Sequence, residues 1–546
     1  MALGAALENR RCEAMVGRIG SAVTCMYSTS TSSGRGIAAK ASGRNPSGTA
    51  VCSSPVRAQL RTLLGQTAVY GLGGGVGQAI GVLTLPVFAR ALNSAEYGAL
   101  ELYTVGIAVA IVFVDAGMSA AAQRSFYDYR DEQLPDRRAV ITTAFVTSTG
   151  VSALAAAAIY AAREPLADWL FEGLPDPSLV ALAAITLPLL AVANMTREVM
   201  RLTLQPWRYV ASSLIATIGG AGISVYAVTS LDAGVKGILT ATVIGTAAAA
   251  VYGVAVARTY LRGHYDWGKL RTMLRYGLPL IPGLVALWAT AYADRLLLAN
   301  LENLEAVGLY AIASRFAAPI VLLLTAFVTA YQPFLLALRV EDPALERELR
   351  GRIASLTAVA LLGAGLPLAV FGPELISIVT PGYDGAAPAI SPLVLGTAAY
   401  GVASVFLAPL LIYRRTDVSA TLTVVMGISN VALCLVLIPP FGLVGAAIAS
   451  FAGYALLAVL YWWWGRRLDD APYEPGHLLV AFALAAVAGE AWRIDFSSGA
   501  LTLVTKFAVC AAFMIGLRLT HVIRAEDLGA AREIVERRVR TRDDAA

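Results

Sequence analysis

The sequence predicts an all-α polytopic membrane protein of about fourteen transmembrane helices, and three observations predict it. Charged residues make up 14% of the chain and hydrophobic residues 57%, whereas a soluble domain carries about a quarter charged residues. From Leu63 onward the chain is a succession of long apolar runs separated by short polar breaks. Those runs are continuous and do not alternate, which suits helices and excludes the strands of a membrane barrel.

Taken in order, residues 1–62 form an amino-terminal tail. Up to about Ser54 it is rich in Ser, Thr, Gly and Ala, has Arg, and has only Glu8 and Glu13 as acids. With no apolar period it is expected to be disordered. Its composition overlaps that of an organelle transit peptide but better suits an overextended start. A helix needs about 20 apolar residues to cross the hydrocarbon core. The first six spans are expected at Leu63–Phe88, Gly98–Ala122, Ala139–Ala161, Leu179–Asn194, Tyr209–Val228 and Val235–Val256. The next six follow at Leu278–Ala293, Val307–Leu335, Ile353–Phe371, Ala386–Ile412, Val418–Ile438 and Leu443–Trp464. Two more lie at Leu478–Ala491 and Leu501–Leu519. This divides the chain into an N-lobe at 63–258, a C-lobe at 259–466, a final helix pair at 467–520 and a charged tail at 521–546. The tail mixes Arg with Asp and Glu at helical spacing and reads as a short cytoplasmic helix.

Charge asymmetry orients the chain. Counting breaks alternately, the even ones hold twenty Arg and Lys, and the odd ones hold only Arg90, Arg163, Lys236, Arg295 and Arg493. By the positive-inside rule both termini are cytoplasmic, and the protein belongs in the cytoplasmic membrane. The breaks are too short for an extramembrane domain.

Several chemistries are set aside. Cys12, Cys25 and Cys52 sit in the tail, and Cys434 and Cys510 lie in apolar runs. His264, His477 and His521 are isolated, and no pair has zinc-ligand spacing, so no metal or other cofactor is expected. The string GLGGGVGQAIG at Gly71–Gly81 looks like a nucleotide-binding loop but follows no strand, and in an apolar helix it permits close packing. Asp469-Asp470 reads as a solvated turn. Pro86, Pro279, Pro282 and Pro333 are candidate kinks.

The two halves echo one another. A shift of 210 residues places Asn93 on Asn303 and Gly98 on Gly308, as transporters built from repeats lead one to expect. The segment WATAYADRLLLANLENLEAVGLYAIASRFA at 288–317 resembles the Wzx-type oligosaccharide flippases of the multidrug/oligosaccharidyl-lipid/polysaccharide exporter superfamily. Asp294-Arg295, Gly308, Tyr310 and the YQPF at Tyr331–Phe334 carry the resemblance. LPVFARALNSAEYGALEL and DAGMSAAAQRSFYDY are similar to the start and end of the family's second span. The resemblance implies two six-helix lobes enclosing a cavity, alternating access and a polyprenyl-diphosphate-linked glycan as cargo. The partners expected are therefore that lipid-linked oligosaccharide, membrane lipids and glycan-assembly proteins, and not nucleic acid.

Ionisable groups within spans cost about 2.5–3.5 kcal/mol each on insertion scales, so they face a partner or a wet cavity. Arg315, about 12 Å into the eighth span, Arg124 at the end of the second and Arg295 at the end of the seventh are the candidate headgroup contacts. Arginine suits the task because its planar fork binds phosphate oxygens in pairs and stays charged when desolvated. Asp115 and Asp294 are candidate ion-coupling carboxylates. Local pairing of Asp294 and Asp115 and interfacial anchoring of Arg124 are the competing readings. An ion-coupled multidrug antiporter of the same superfamily is the alternative function. A glycan polymerase or glycosyltransferase ranks below it, because the outer breaks are short and lack histidine.

Overall fold

The structure, a computed structural model, describes residues 76, 77, 79–129, 132–170 and 176–522. The expected amino-terminal tail, the first half of the first span and the tail beyond Val522 lie outside the described residues. Every regular element among the described residues is helical.

Helix α1 is Ala79–Ala91. Helix α2, Ser94–Asp115, opens on a reciprocal cap: Glu96 N–H donates to Asn93 Oδ1 and Asn93 N–H donates to Glu96 Oε2, both at 2.9 Å. It ends in a left-handed turn at Ala116 and Gly117 that leads into α3, Met118–Tyr127. Next come α4 (Leu134–Ala161), α5 (Pro177–Leu202), α6 (Pro206–Leu231, with a π turn at Ile215–Gly219) and α7 (Gly234–Ala257). The second part of the chain begins with α8 (Trp267–Gly277), α9 (Ile281–Leu301) and α10 (Leu304–Glu341). It continues with α11 (Pro343–Val370), α12 (Ala387–Phe406), α13 (Thr416–Gly465), α14 (Pro475–Gly489) and α15 (Gly499–Leu519). Proline opens α5, α6, α11 and α14 in the first turn, where its missing N–H leaves no bond unmade. Asp266 caps α8, and the N–H groups of Lys269 and Gly268 hold its carboxyl below the usual range.

Eleven of the described helices have the length and apolarity to cross a membrane. A twelfth is added if Trp267–Ala286 and Ala291–Leu301, which meet at 55°, form one broken span. The expected fourteen is not reached, for two reasons. α13 runs for 50 residues and carries two expected spans, joined through a kink at Gly442 (φ 55°, ψ −134°) just after Pro439-Pro440. α1 is the described part of a longer apolar run. The expected kink prolines also sit differently. Pro279 lies in a 3-10 turn and Pro282 in the first turn of α9, both ahead of the bend. Pro86 sits inside α1, and the side chain of Pro333 is outside the described residues.

Two bundles result. In the first, α2, α4, α6 and α7 gather around α5 and one another; in the second, α9, α10 and α11 gather around α12 and α13. They meet where α2 crosses α10, and the crossing is backbone on backbone. A Cβ on Gly98 would lie 2.0 Å from the Leu304 carbonyl oxygen, and one on Gly308 would lie 1.9 Å from that of Ser94. Asn303 caps α10 as Asn93 caps α2, so the 210-residue shift pairs two equivalent caps and the two glycines of the crossing. At the opposite end Gly117, at φ 70°, abuts Gly277: its Cβ would lie 2.6 Å from the Gly277 carbonyl oxygen.

Two buried charge contacts brace the second bundle. Lys506 of α15 is almost wholly buried and donates to Glu374 Oε1 at 2.6 Å. Asp469 is not in a solvated turn as expected. The loop after α13 folds over α11, burying Asp469 against Arg350 and setting the Pro472 carbonyl against Gly351.

Candidate functional site: a charged cavity between the bundles

A cavity of about 600 Å³ opens between α1 and α6 on one side and α9, α10, α12 and α13 on the other. Its polar wall follows from sequence spacing. Asp294 and Arg295 are neighbours on α9, while Tyr310 and Ser314 lie one turn apart on α10 and aim the same way, with Arg315 beside them. Gly77 and Gly81 leave room on the facing wall; a Cβ at Gly81 would lie 4.0 Å from Arg315 Nη1.

Arg295 is held on several sides. Its guanidinium donates to Glu101 Oε1, Asp294 Oδ1 and the Ala291 carbonyl at 2.9, 2.9 and 3.0 Å, and it lies 5.2 Å from the Tyr310 ring centroid. Asp294, 4% exposed, accepts from Tyr310 Oη at 2.5 Å and Ser450 Oγ at 3.4 Å. Arg315 is different. Its side chain is 44% exposed, and among the described residues its one ion pair is the long contact with Glu101 Oε2 at 3.6 Å. Glu101 belongs to the first bundle and both arginines to the second, so one carboxylate ties the bundles together one turn from the Gly98–Gly308 crossing. Burying these charges is tolerable because each has an opposite partner.

Asp294, Arg295 and Arg315 are thus brought together in one cavity. Arg124 and Asp115 are not. Arg124 is exposed near the end of α3, its guanidinium 4.7 Å from the Tyr276 ring centroid. Asp115 ends α2 and accepts the Ser119 hydroxyl at 2.6 Å. That contact holds the start of α3, whose capping residue Gly117 has no side chain to do so. Sequence reasoning missed Glu101, an ionisable group near the start of the expected span Gly98–Ala122. The available signal was its one-turn spacing from Tyr97. Among the described residues no group of His, Cys, Asp and Glu could hold a metal ion.

Two helical bundles that span a membrane and enclose a charged cavity define a polytopic transporter fold. The chain is similar to the lipid II flippase MurJ in its inward closed conformation, with a TM-score of 0.65 at 12% identity over 84% of this chain and 100% of that one. It is also similar to an inward-facing multidrug resistance MATE family transporter of the MOP superfamily (TM-score 0.55, 17% identity, 71% and 94% covered). A MOP superfamily transporter from Pyrococcus furiosus is a further likeness (TM-score 0.51, 16% identity, 73% and 94% covered). At such identities these likenesses speak for the fold. No curated protein sequence matches the chain. Residues 87–381, more than half of the chain, match the family described as polysaccharide biosynthesis protein, and the chain belongs to that family. The match spans Asp294, Arg295, Gly308 and Tyr310, on which the resemblance to the oligosaccharide flippases was read.

Proposed function

We propose that the protein flips a polyprenyl-diphosphate-linked oligosaccharide across the cytoplasmic membrane by alternating access, for polysaccharide biosynthesis. One observation carries the reading: a half-open arginine and a buried one share a cavity between two bundles, and a single carboxylate of the opposite bundle joins them. A flippase has to hold a diphosphate and a hydrophilic glycan away from lipid while the prenyl chain stays in it. Arg315 has unused donors facing the cavity, and paired guanidinium–phosphate hydrogen bonds are stronger than its long contact with Glu101. A bound diphosphate therefore displaces the Glu101 carboxylate. Losing that contact frees α2 from α10 and favours the state open at that end, because a ligand shifts an equilibrium only by its differential affinity for the two states.

The arginine-rich breaks lie at the opposite end, which orients that end to the cytoplasm. Arg124 stands there and meets the headgroup first. The protein acts as a carrier and makes or breaks no covalent bond. A cation antiporter needs a carboxylate free to receive its cargo, and here Asp294 and Glu101 are both engaged by arginine.

The test is a flip assay in proteoliposomes that carry a fluorescent polyprenyl-diphosphate oligosaccharide, read with an outer-face quencher. Protein-dependent exchange that disappears in Arg315→Ala is expected. Lack of exchange, together with ion-driven movement of a small amphipathic cation in the same vesicles, would move the protein to the antiporter reading.

A further inference from the structure

A second cavity of about 310 Å³ continues from the first, sharing Val321, Thr397 and Tyr454 with it. Its chemistry is unlike that of its neighbour. Among the described residues that line it none is charged: the polar ones are Thr325, Thr329, Thr397, Ser404 and the tyrosines 400 and 454. Thr325 and Thr329 continue the face of α10 that carries Arg315, Ala318 and Val321, with Thr325 about 15 Å farther along the helix than Arg315.

The protons of the four threonine and serine hydroxyls are already committed. Thr325, Thr329, Thr397 and Ser404 donate to the carbonyls of Val321, Thr325, Leu393 and Tyr400, four residues back, at 2.7 to 3.0 Å. Each oxygen keeps lone pairs, so toward the cavity these four side chains are acceptors only. An ionised phosphate has no proton to give them and gains nothing from them. A neutral sugar is covered in hydroxyl donors. Tyr400 and Tyr454, their ring centroids 5.1 Å apart, add aromatic surface of the kind that packs on the apolar face of a pyranose. Serine and threonine in membrane helices bond back to their own backbone without any ligand. Here, however, such residues from two helices converge with two tyrosines on one cavity, and that cavity opens into the arginine site.

We infer that this acceptor-lined groove is a subsite for uncharged sugar residues of the cargo, complementary to the diphosphate site at Arg295 and Arg315. The inference rests on the flippase reading and names the part of the substrate that the arginines do not read. It also restricts that substrate: the sugars seated here are neutral, because a uronic acid would set its carboxylate against four hydroxyls whose protons are committed, with only the two tyrosine O–H groups left to donate.

The test is equilibrium binding to the full chain in detergent, with three probes: bare undecaprenyl diphosphate, the same lipid bearing a neutral N-acetylhexosamine disaccharide, and one bearing a hexuronic acid disaccharide. The neutral glycolipid is expected to bind about tenfold tighter than the bare lipid, the worth of one or two hydrogen bonds, and the uronic form no tighter than the bare lipid. Thr325→Val with Ser404→Ala removes two acceptors at nearly constant shape, and each freed carbonyl keeps its helical bond. In that variant the neutral-to-bare ratio falls to about twofold or less, while Thr325→Ser restores part of it. Arg315→Gln weakens both lipids and leaves the ratio standing. A ratio near one in the unaltered protein, or one that survives in the double variant, overturns the subsite alone. Binding of neither lipid overturns the flippase reading and the subsite with it.

Discussion

Two clusters of buried arginine and carboxylate lie among the described residues, and they are built to different ends. Around Arg350, Glu346 and Asp469 close on a guanidinium with no exposure at all. Arg350 Nε stands 2.9 Å from Glu346 Oε1 as an ion pair without hydrogen-bond alignment. All three residues belong to the second bundle and its following loop. Around Arg295 and Arg315, Glu101 comes from the other bundle, one arginine is half open, and the cluster faces a cavity. The same kinds of group can therefore be a fixed staple or an exchangeable contact. What separates them is whether a competing anion can reach the arginine and whether the partners can move apart.

Substitutions at both clusters can break this contrast. The largest effect is expected from Arg350→Leu, which leaves the buried Asp469 without its arginine and Glu346 with only Arg339, and costs about 3–5 kcal/mol. The yield of monodisperse protein in detergent should collapse, and a normal yield would mean that the sealed cluster braces nothing. Arg315→Gln is expected to remove about 2–5 kcal/mol of headgroup affinity with little change in thermal midpoint, since its side chain already reaches the cavity. A comparable loss of folded protein would erase the distinction between the clusters. Gly308→Ala drives a methyl into the Ser94 carbonyl. Overpacking of this kind costs about 1–3 kcal/mol, and parting α2 from α10 should speed thiol labelling of a Ser94→Cys reporter; unchanged labelling would mean that the crossing is not a gate. Smallest of the four is Glu101→Gln. Removing the competing carboxylate should tighten binding of bare undecaprenyl diphosphate several-fold, an effect of about 1 kcal/mol, and weaker binding would sink the exchange.

Much of the fold was legible residue by residue. Asn93 and Asn303 are helix caps by side-chain chemistry, and the break at 439–442 is announced by two prolines followed by glycine. Arg295, Arg315 and Asp294 stood out because a charge in an apolar run demands a partner or a cavity. Arg124 and Asp115 stood out by the same rule, yet one lies on a tyrosine at the surface and the other steadies the start of a helix. The rule identifies residues that need an explanation without saying which explanation applies.

The contrast has a physical cause. Helix spans, caps, breaks and the alternation of arginine-rich with arginine-poor breaks depend on a solvent preference or on neighbours within about one turn, so they can be read along the chain. Glu101 meeting Arg295 across 194 residues, Asp469 meeting Arg350 across 119, and the hydroxyls of α10 and α12 sharing one groove depend on where whole helices cross. Those crossings come from the packing of many side chains together, with backbones meeting where glycine lets them touch, and no local pattern encodes which pair will meet.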